Sequence, residues 1–269
     1  IKPMTTTYHT IIIGLGAMGS ATLYQLAKQG AHVLGLDRYN PPHEFGSSHA
    51  ETRVTRLAVG EGAQYLPLVA RSHEIWRELE MITGRPLLYQ PGGYIITPQN
   101  SADGTAGHWS NFVQRTAAIA QQAHIPYTLV PPADIRAKHP HILIQDNELA
   151  GFEPTGGVVL SEAAVATQLQ LAQKHGATVH TNEPVTNISW SANSVTITTP
   201  NTTYTAAKAI ISAGAWIRDF LPTPQQPKFR VTRQVVYGFE PEDPAAFSTD
   251  HFPFLLWVGQ TLSEYFAAF

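Results

Sequence analysis

IIIGLGAMGSA, residues 11–21, is the stretch on which the fold turns. Ile11 to Ile13 run without a polar break into Gly14, Gly16 and Gly19, the pattern of a buried strand, a tight turn and the first turn of a helix. The spacing is GxGxxG. Gly14 permits the sharp turn, Gly16 lets a pyrophosphate approach the backbone, and Gly19 lets the helix pack closely on the strand. The helix N-terminus then offers free N–H groups and a positive dipole end to phosphate. On its own the motif also fits a plain glycine-tolerant strand-to-helix turn, so its surroundings decide.

The following helix carries Ala21, Tyr24, Leu26 and Ala27 on an apolar face and stops at Gly30. HVLGLD, residues 32–37, then reads as a second strand. Asp37 closes it 18 residues after Gly19, where a dinucleotide site requires a carboxylate for the ribose hydroxyls. Ile13, Gly14, Gly16, Ala17, Met18, Gly19 and Asp37 are therefore the first candidate cofactor-binding residues. Arg38 either covers the adenine or faces water. It is not read as a 2′-phosphate clamp, because Asp37 would repel that phosphate.

The 269 residues suffice for two interleaved domains, and 43% hydrophobic content supports a packed core. Formal charge is −3, with no Lys/Arg run and no basic aromatic stripe, so no nucleic-acid partner is expected. No apolar run approaches spanning length, so no membrane partner is expected. The opening IKPMTTTY has no secretory-signal pattern, and a cytoplasmic location is the default. The absence of cysteine excludes disulfides, thiolate metal sites and a cysteine nucleophile within these residues. None of the twelve histidines forms an HExxH pair, and no metal site is read.

Along the chain, NPPHEFGSSHAETRVTR (40–56) is a loop ending in two arginines, followed by a helical pattern from Tyr65 to Met81. LLYQPGGYIIT (87–97) reads as two short strands around a Pro-Gly-Gly turn, which interrupts a simple α/β alternation. A helical stretch near 107–124 and a Pro-rich connector lead to GFEPTGGVVLSE (151–162) and a helix over 161–175 capped by Ser161. From Ala177 short strands follow in a small meander, ending in YTAAKAIISAGAW (204–216), an apolar strand with a small-residue turn at Ser212, Ala213 and Gly214. That turn would return the chain to the cofactor. FRVTRQVVYGFE (229–240) alternates like a long strand of a second sheet.

With these pieces assembled, the sequence resembles the FAD-dependent amine oxidases that include monomeric sarcosine oxidase and N-methyltryptophan oxidase, within the D-amino-acid oxidase superfamily. The resemblance rests on GLGAMG with Asp37, the loop NPPHEFGSSHAETRVTRLAVGEG (40–62), YLPLVARSHEIW (65–76), GFEPTGGVVLSE and IISAGAW (210–216), in family order and spacing. The loop is the most specific piece, since a generic nucleotide fold requires none of PPH, GSSH and TRxxR. The implied fold class is α/β: a discontinuous Rossmann-like FAD-binding domain (1–85 and 150–222) with a β-meander crossover, interleaved with an α+β, mixed-sheet substrate domain (86–149 and 223–269).

The resemblance also implies a chemistry, in which FAD oxidises an N-methyl amino acid or related amine, the imine hydrolyses to formaldehyde and the amino acid, and oxygen becomes hydrogen peroxide. Ser47, His49, Thr52 and Arg53 would lie along the flavin, with Arg53 near the reactive ring, and Arg56 would grip the substrate carboxylate. Val185 would set its backbone against the adenine, and Ala213, Gly214 and Trp216 would pack near the pyrophosphate and isoalloxazine. Trp216 is equally readable as plain core. The family is longer, so the resemblance implies a C-terminally incomplete chain. Its active-site tyrosine precedes Gly-Phe-Pro, whereas this sequence has EYFAAF: either Tyr265 is a shifted counterpart or Ala267 replaces it. The competing readings are an oxidase of glycine or a D-amino acid, and a truncated flavin-binding protein without turnover.

Overall fold

The computed structural model describes residues 7–50, 52–99, 111–233, 235–248, 252–258 and 265–268, with 265 and 266 described as backbone only. The first half of the chain forms β1 (Thr7–Ile13), α1 (Ala17–Lys28), β2 (Val33–Leu36), β3 (Thr52–Thr55), α2 (Leu66–Thr83), β4 (Leu88–Tyr89), β5 (Gly93–Pro98), α3 (Phe112–Gln122), β6 (Thr128–Val130) and α4 (Pro132–Lys138). The second half forms β7 (Glu148–Glu153), β8 (Gly157–Leu160), α5 (Ser161–Lys174), β9 (Thr178–His180), β10 (Asn187–Trp190), β11 (Val195–Thr198), β12 (Thr203–Ile211), β13 (Phe254–Val258) and β14 (Tyr265–Ala268). Two compact units result, Ile1–Glu51 with Ser161–Tyr237 and Thr52–Leu160 with Gly238–Phe269.

The first unit is a six-stranded sheet in the order β10-β11-β12-β1-β2-β9. β12, β1, β2 and β9 run parallel, and the β10-β11-β12 meander is antiparallel. β1 sits between β12 and β2, which explains its unbroken isoleucine run: with both faces covered, no position has to be polar. α1 and α5 are fastened through the buried Ser20 hydroxyl, which donates to the Gln168 side-chain oxygen at 2.9 Å. The apolar face of α1 is built from Leu23, Tyr24 and Ala27, with Leu26 only half-buried, a rotation of the face expected from the sequence.

The second unit has a five-stranded sheet, β14-β13-β5-β7-β6, and a three-stranded one, β3-β8-β4. β4 and β5, read as strands flanking one Pro-Gly-Gly turn, belong to different sheets: β4 pairs with β8, and β5 with β7 and β13. β3 pairs with β8 along its whole length, so residues from Thr52 onward join this unit. The three exchanges between units fall at 51/52, 160/161 and 237/238, where the sequence suggested 85/86, 149/150 and 222/223.

One expectation fails outright. Residues 229–240, read as a long strand, carry no strand over their described positions, and Val231, Val235, Val236, Tyr237 and Phe239 are exposed. Alternation alone does not make a strand, because a strand needs a partner edge and no described strand pairs with this segment. No described helix is long and apolar enough to cross a membrane.

Candidate functional site

In the first unit, the turn after β1 is closed from both sides. Gly14 has φ +89°, a left-handed backbone that favours glycine, and a Cβ there would stand 2.5 Å from the Ser212 carbonyl oxygen. The Ser212 hydroxyl donates to the Gly14 carbonyl at 2.7 Å, and its amide donates to the Ile13 carbonyl at 2.8 Å. The end of β12 therefore braces the turn. A Cβ at Gly19 would overlap the Gly14 carbonyl, so the third glycine is fixed by close packing of helix on turn.

Gly16 differs from the other two. It is the N-cap of α1, makes no side-chain cap hydrogen bond, and would place a Cβ near only the Ser48 hydroxyl, at 3.3 Å. That hydroxyl accepts the Ala17 amide at 3.0 Å. Met18 is 76% exposed, so the leading end of the helix opens outward.

Asp37, 6% exposed at the end of β2, accepts the Leu15 amide on Oδ2 at 2.7 Å and the Tyr39 amide on Oδ1 at 2.8 Å. A carboxylate has about four acceptor sites, so hydroxyl groups can still be received. Arg38 is exposed, and its guanidinium lies 5.6 Å from the rings of both Tyr39 and Trp216, which are 5.5 Å apart. Trp216 thus stands beside Arg38 and Tyr39, next to Asp37, where the resemblance implied a place near the pyrophosphate and isoalloxazine. Ala213 and Gly214 form the turn after β12, with Gly214 at φ +51°, and Val185 packs against the sheet core.

The 46–50 loop is tied down by four hydrogen bonds. Ser48 meets Ala17 as above, its carbonyl accepts the Ser161 hydroxyl at 3.2 Å, and Glu162 accepts the Ala50 amide at 3.0 Å and pairs with His49 Nδ1 at 2.9 Å. Ser47 is exposed on the same loop.

In the second unit, Thr52 and Arg53 lie on β3, and the Arg53 guanidinium donates to the Thr52 carbonyl at 2.6 Å. Arg56 follows the strand and holds a carboxylate of the chain itself, that of Glu61, with Nη2 2.5 and 2.6 Å from its two oxygens. Its Nε is buried with no hydrogen-bond partner among the described residues, as is the Tyr127 hydroxyl. Burial first, then the nearby Glu153, pushes the Tyr127 phenol well above its ordinary range. Glu153 accepts the Leu57 amide at 2.6 Å, the Ala58 amide at 3.0 Å and the Thr155 hydroxyl at 2.7 Å, so it shapes the segment that carries Arg56. The Tyr265 backbone, in β14, pairs with Val258 of β13, and its side chain lies outside the described residues.

The family model described as "DAO: FAD dependent oxidoreductase" matches residues 9–268. The chain belongs to this family. It is 38% identical over 252 residues to a monomeric sarcosine oxidase of Bacillus sp., covering 92% of this chain and 61% of that one. It is 36% identical over 247 residues to an N-methyl-L-tryptophan oxidase of Yersinia pestis, covering 91% and 63%. Among solved structures, NikD, an unusual amino acid oxidase essential for nikkomycin biosynthesis, superposes with a TM-score of 0.70 at 26% identity, over 80% of this chain and 53% of that one. The chain spans less than two thirds of the length of these relatives.

FAD is the cofactor of the DAO family, and the first unit fits it. Gly16 brings no capping side chain to α1 and keeps the space before it clear, the Ser48 hydroxyl takes the first amide, that of Ala17, and Asp37 presents acceptors beside it. Three residues that shape the two units escaped the sequence reading, Ser48, Glu162 and Glu61, and a fourth, Ser212, was named in its turn without its bracing role. Ser48 and Ser212 stood inside motifs already quoted, but nothing in a sequence distinguishes a serine that braces a turn from one that faces water. Glu162 signals only an acidic first helical turn.

Proposed function

We propose that the chain acts as an FAD-dependent oxidase of N-methyl amino acids, of the sarcosine or N-methyltryptophan type. The observation that carries the reading is the Ser48 hydroxyl on the Ala17 amide. It fastens the loop 40–50, part of the stretch most specific to these oxidases, to the end of α1 where a pyrophosphate would sit. The named relatives at 36–38% identity support the same substrate class.

When bound, FAD supplies the redox chemistry, taking a hydride equivalent from the N-methyl carbon and passing the electrons to oxygen. The chain binds and orients. Ile13 to Gly19, with Ala213 and Gly214, receive the pyrophosphate; Asp37 receives the ribose, and Val185, Arg38 and Trp216 serve the adenosine half. Ser47, His49, Thr52 and Arg53 are assigned to the flavin half. Arg56 takes the substrate carboxylate, fixing which carbon is presented, and orientation of that kind lowers the barrier by proximity. Glu61 already occupies Nη2, so a substrate carboxylate competes with it for the guanidinium. Tyr265 is assigned to the substrate side. The reaction then consumes oxygen and water and releases formaldehyde, the free amino acid and hydrogen peroxide.

The test is a titration of the chain with FAD, followed by flavin fluorescence, and a coupled peroxide assay with sarcosine, N-methyl-L-tryptophan, glycine and D-alanine. Binding of FAD with peroxide formed from either N-methyl substrate is expected. No FAD binding, or peroxide from glycine or D-alanine alone, would overturn the reading.

A further inference from the structure

The 46–50 loop has a backbone feature that needs an outside restraint. Ala50 is held at φ +77°, left-handed ground that a residue with a Cβ adopts reluctantly. The amide of that same residue donates to Glu162 Oε1 at 3.0 Å, and the same oxygen lies 2.9 Å from His49 Nδ1. Glu162 stands in the first turn of α5, where the helix dipole favours a carboxylate, and the neighbouring Ser161 hydroxyl fixes the Ser48 carbonyl. The start of α5 thereby holds three consecutive residues of the loop, and Ser48 passes that order to the first amide of α1.

We propose that Glu162 is a positioning residue for the cofactor-facing loop, fixing the ring orientation and tautomer of His49. This rests on the reading above that His49 lies along the flavin. A carboxylate oxygen can only accept, so His49 must carry its proton on Nδ1, leaving Nε2 of the neutral ring as an acceptor for whatever faces it. Without Glu162 the ring reverts to the Nε2–H form common in water, and the left-handed turn at Ala50 loses its restraint.

The test reads the tautomer directly, through the imidazole 15N chemical shifts of His49 in the full chain, with and without FAD. The Nδ1–H tautomer is expected in the parent and in Glu162→Gln, whose amide oxygen still accepts from both donors. Glu162→Ala is expected to shift the ring toward Nε2–H and to weaken FAD binding roughly ten- to hundred-fold, as loss of charge-assisted hydrogen bonds implies. An Nε2–H parent overturns the proposal even if Glu162→Ala fails to fold. So does a Glu162→Ala variant that keeps the Nδ1–H form or binds FAD within two-fold of the parent. Failure of the parent itself to bind FAD overturns the oxidase reading instead, while the tautomer of the FAD-free chain is still measured.

Discussion

Replacing Gly16 and Gly19 in turn by alanine separates two roles that one motif combines. Gly16 has φ −67°, which any residue adopts, and its added Cβ meets only the tip of Ser48 at 3.3 Å. The methyl group also restricts the unfolded chain, worth about 0.4–1 kcal/mol in favour of folding. A few tenths of an ångström of give at Ser48 offset part of that, so Gly16→Ala is expected to change stability by less than about 1 kcal/mol. Gly19→Ala gains about 1 kcal/mol of helix propensity but drives its Cβ into the Gly14 carbonyl and to 2.7 Å from the Ser212 hydroxyl. Backbone cannot rotate away as a side chain can, and overpacking of that kind costs about 1–3 kcal/mol or more, so Gly19→Ala is expected to be destabilised. Cofactor affinity reverses the order of interest. The Gly16 methyl stands where phosphate must reach the helix amides, and each charge-assisted bond lost is worth about 1.5–3 kcal/mol, a ten- to hundred-fold weakening. Urea unfolding without FAD, beside a fluorescence titration with FAD, reads both quantities. A Gly16→Ala protein that binds FAD within two-fold of the parent would refute the cradle geometry.

Asp37→Ala strips the Leu15 and Tyr39 amides of their acceptor at a buried position, so a loss of about 2–4 kcal/mol in urea unfolding is expected together with weaker FAD binding; stability equal to the parent's would show that water replaces the carboxylate. Glu61→Gln releases Arg56 and is expected to lower the apparent KM for sarcosine, by no more than about five-fold because Glu61 is a third exposed and such pairs are worth about 1 kcal/mol or less; an unchanged KM would remove Arg56 from substrate binding. Burial of Glu80 would by itself raise its carboxyl, but the amides of Leu87 and Leu88 and the Arg77 guanidinium outweigh it and hold the group below its ordinary 4.5. A carboxyl depressed in the folded state stabilises above its unfolded pKa and loses that contribution as pH falls through the folded one. Unfolding free energies of the parent and of Glu80→Gln should therefore differ near neutrality and converge below about pH 4.5, and parallel curves would count against the shift.

What the sequence disclosed was local. Ile11 to Ile13, the three glycines and Asp37 lie within one βαβ unit, where periodicity and turn chemistry act over a few residues, and the structure places them together. Non-local pairing was not legible. The alternation in 229–240 looks like that of β12, yet β12 finds β1 and β11 as neighbours, and no described strand pairs with 229–240. Likewise Arg56 was visible as a cation of the loop, while Glu61 five residues on was read only as part of a quoted stretch; an ion pair depends on how the backbone between them bends, and that bend is set by Glu153 from a distant strand. Arg38 posed the same difficulty, since its ring partner Trp216 is remote in the chain.

Ser212 gives the nucleotide turn a timetable. The residue that closes the turn from β12 lies 198 positions beyond Gly14. At synthesis rates of about 5–20 residues per second, roughly 10–40 s separate the emergence of the glycines from that of their brace. Through that interval the nascent chain holds a β1–α1–β2 segment whose apolar centre strand lacks one neighbour, and contacts of such long span close slowly. Capture of the cofactor is then an event of late translation, and a ribosome stalled before β12 would display the whole glycine motif yet retain no flavin.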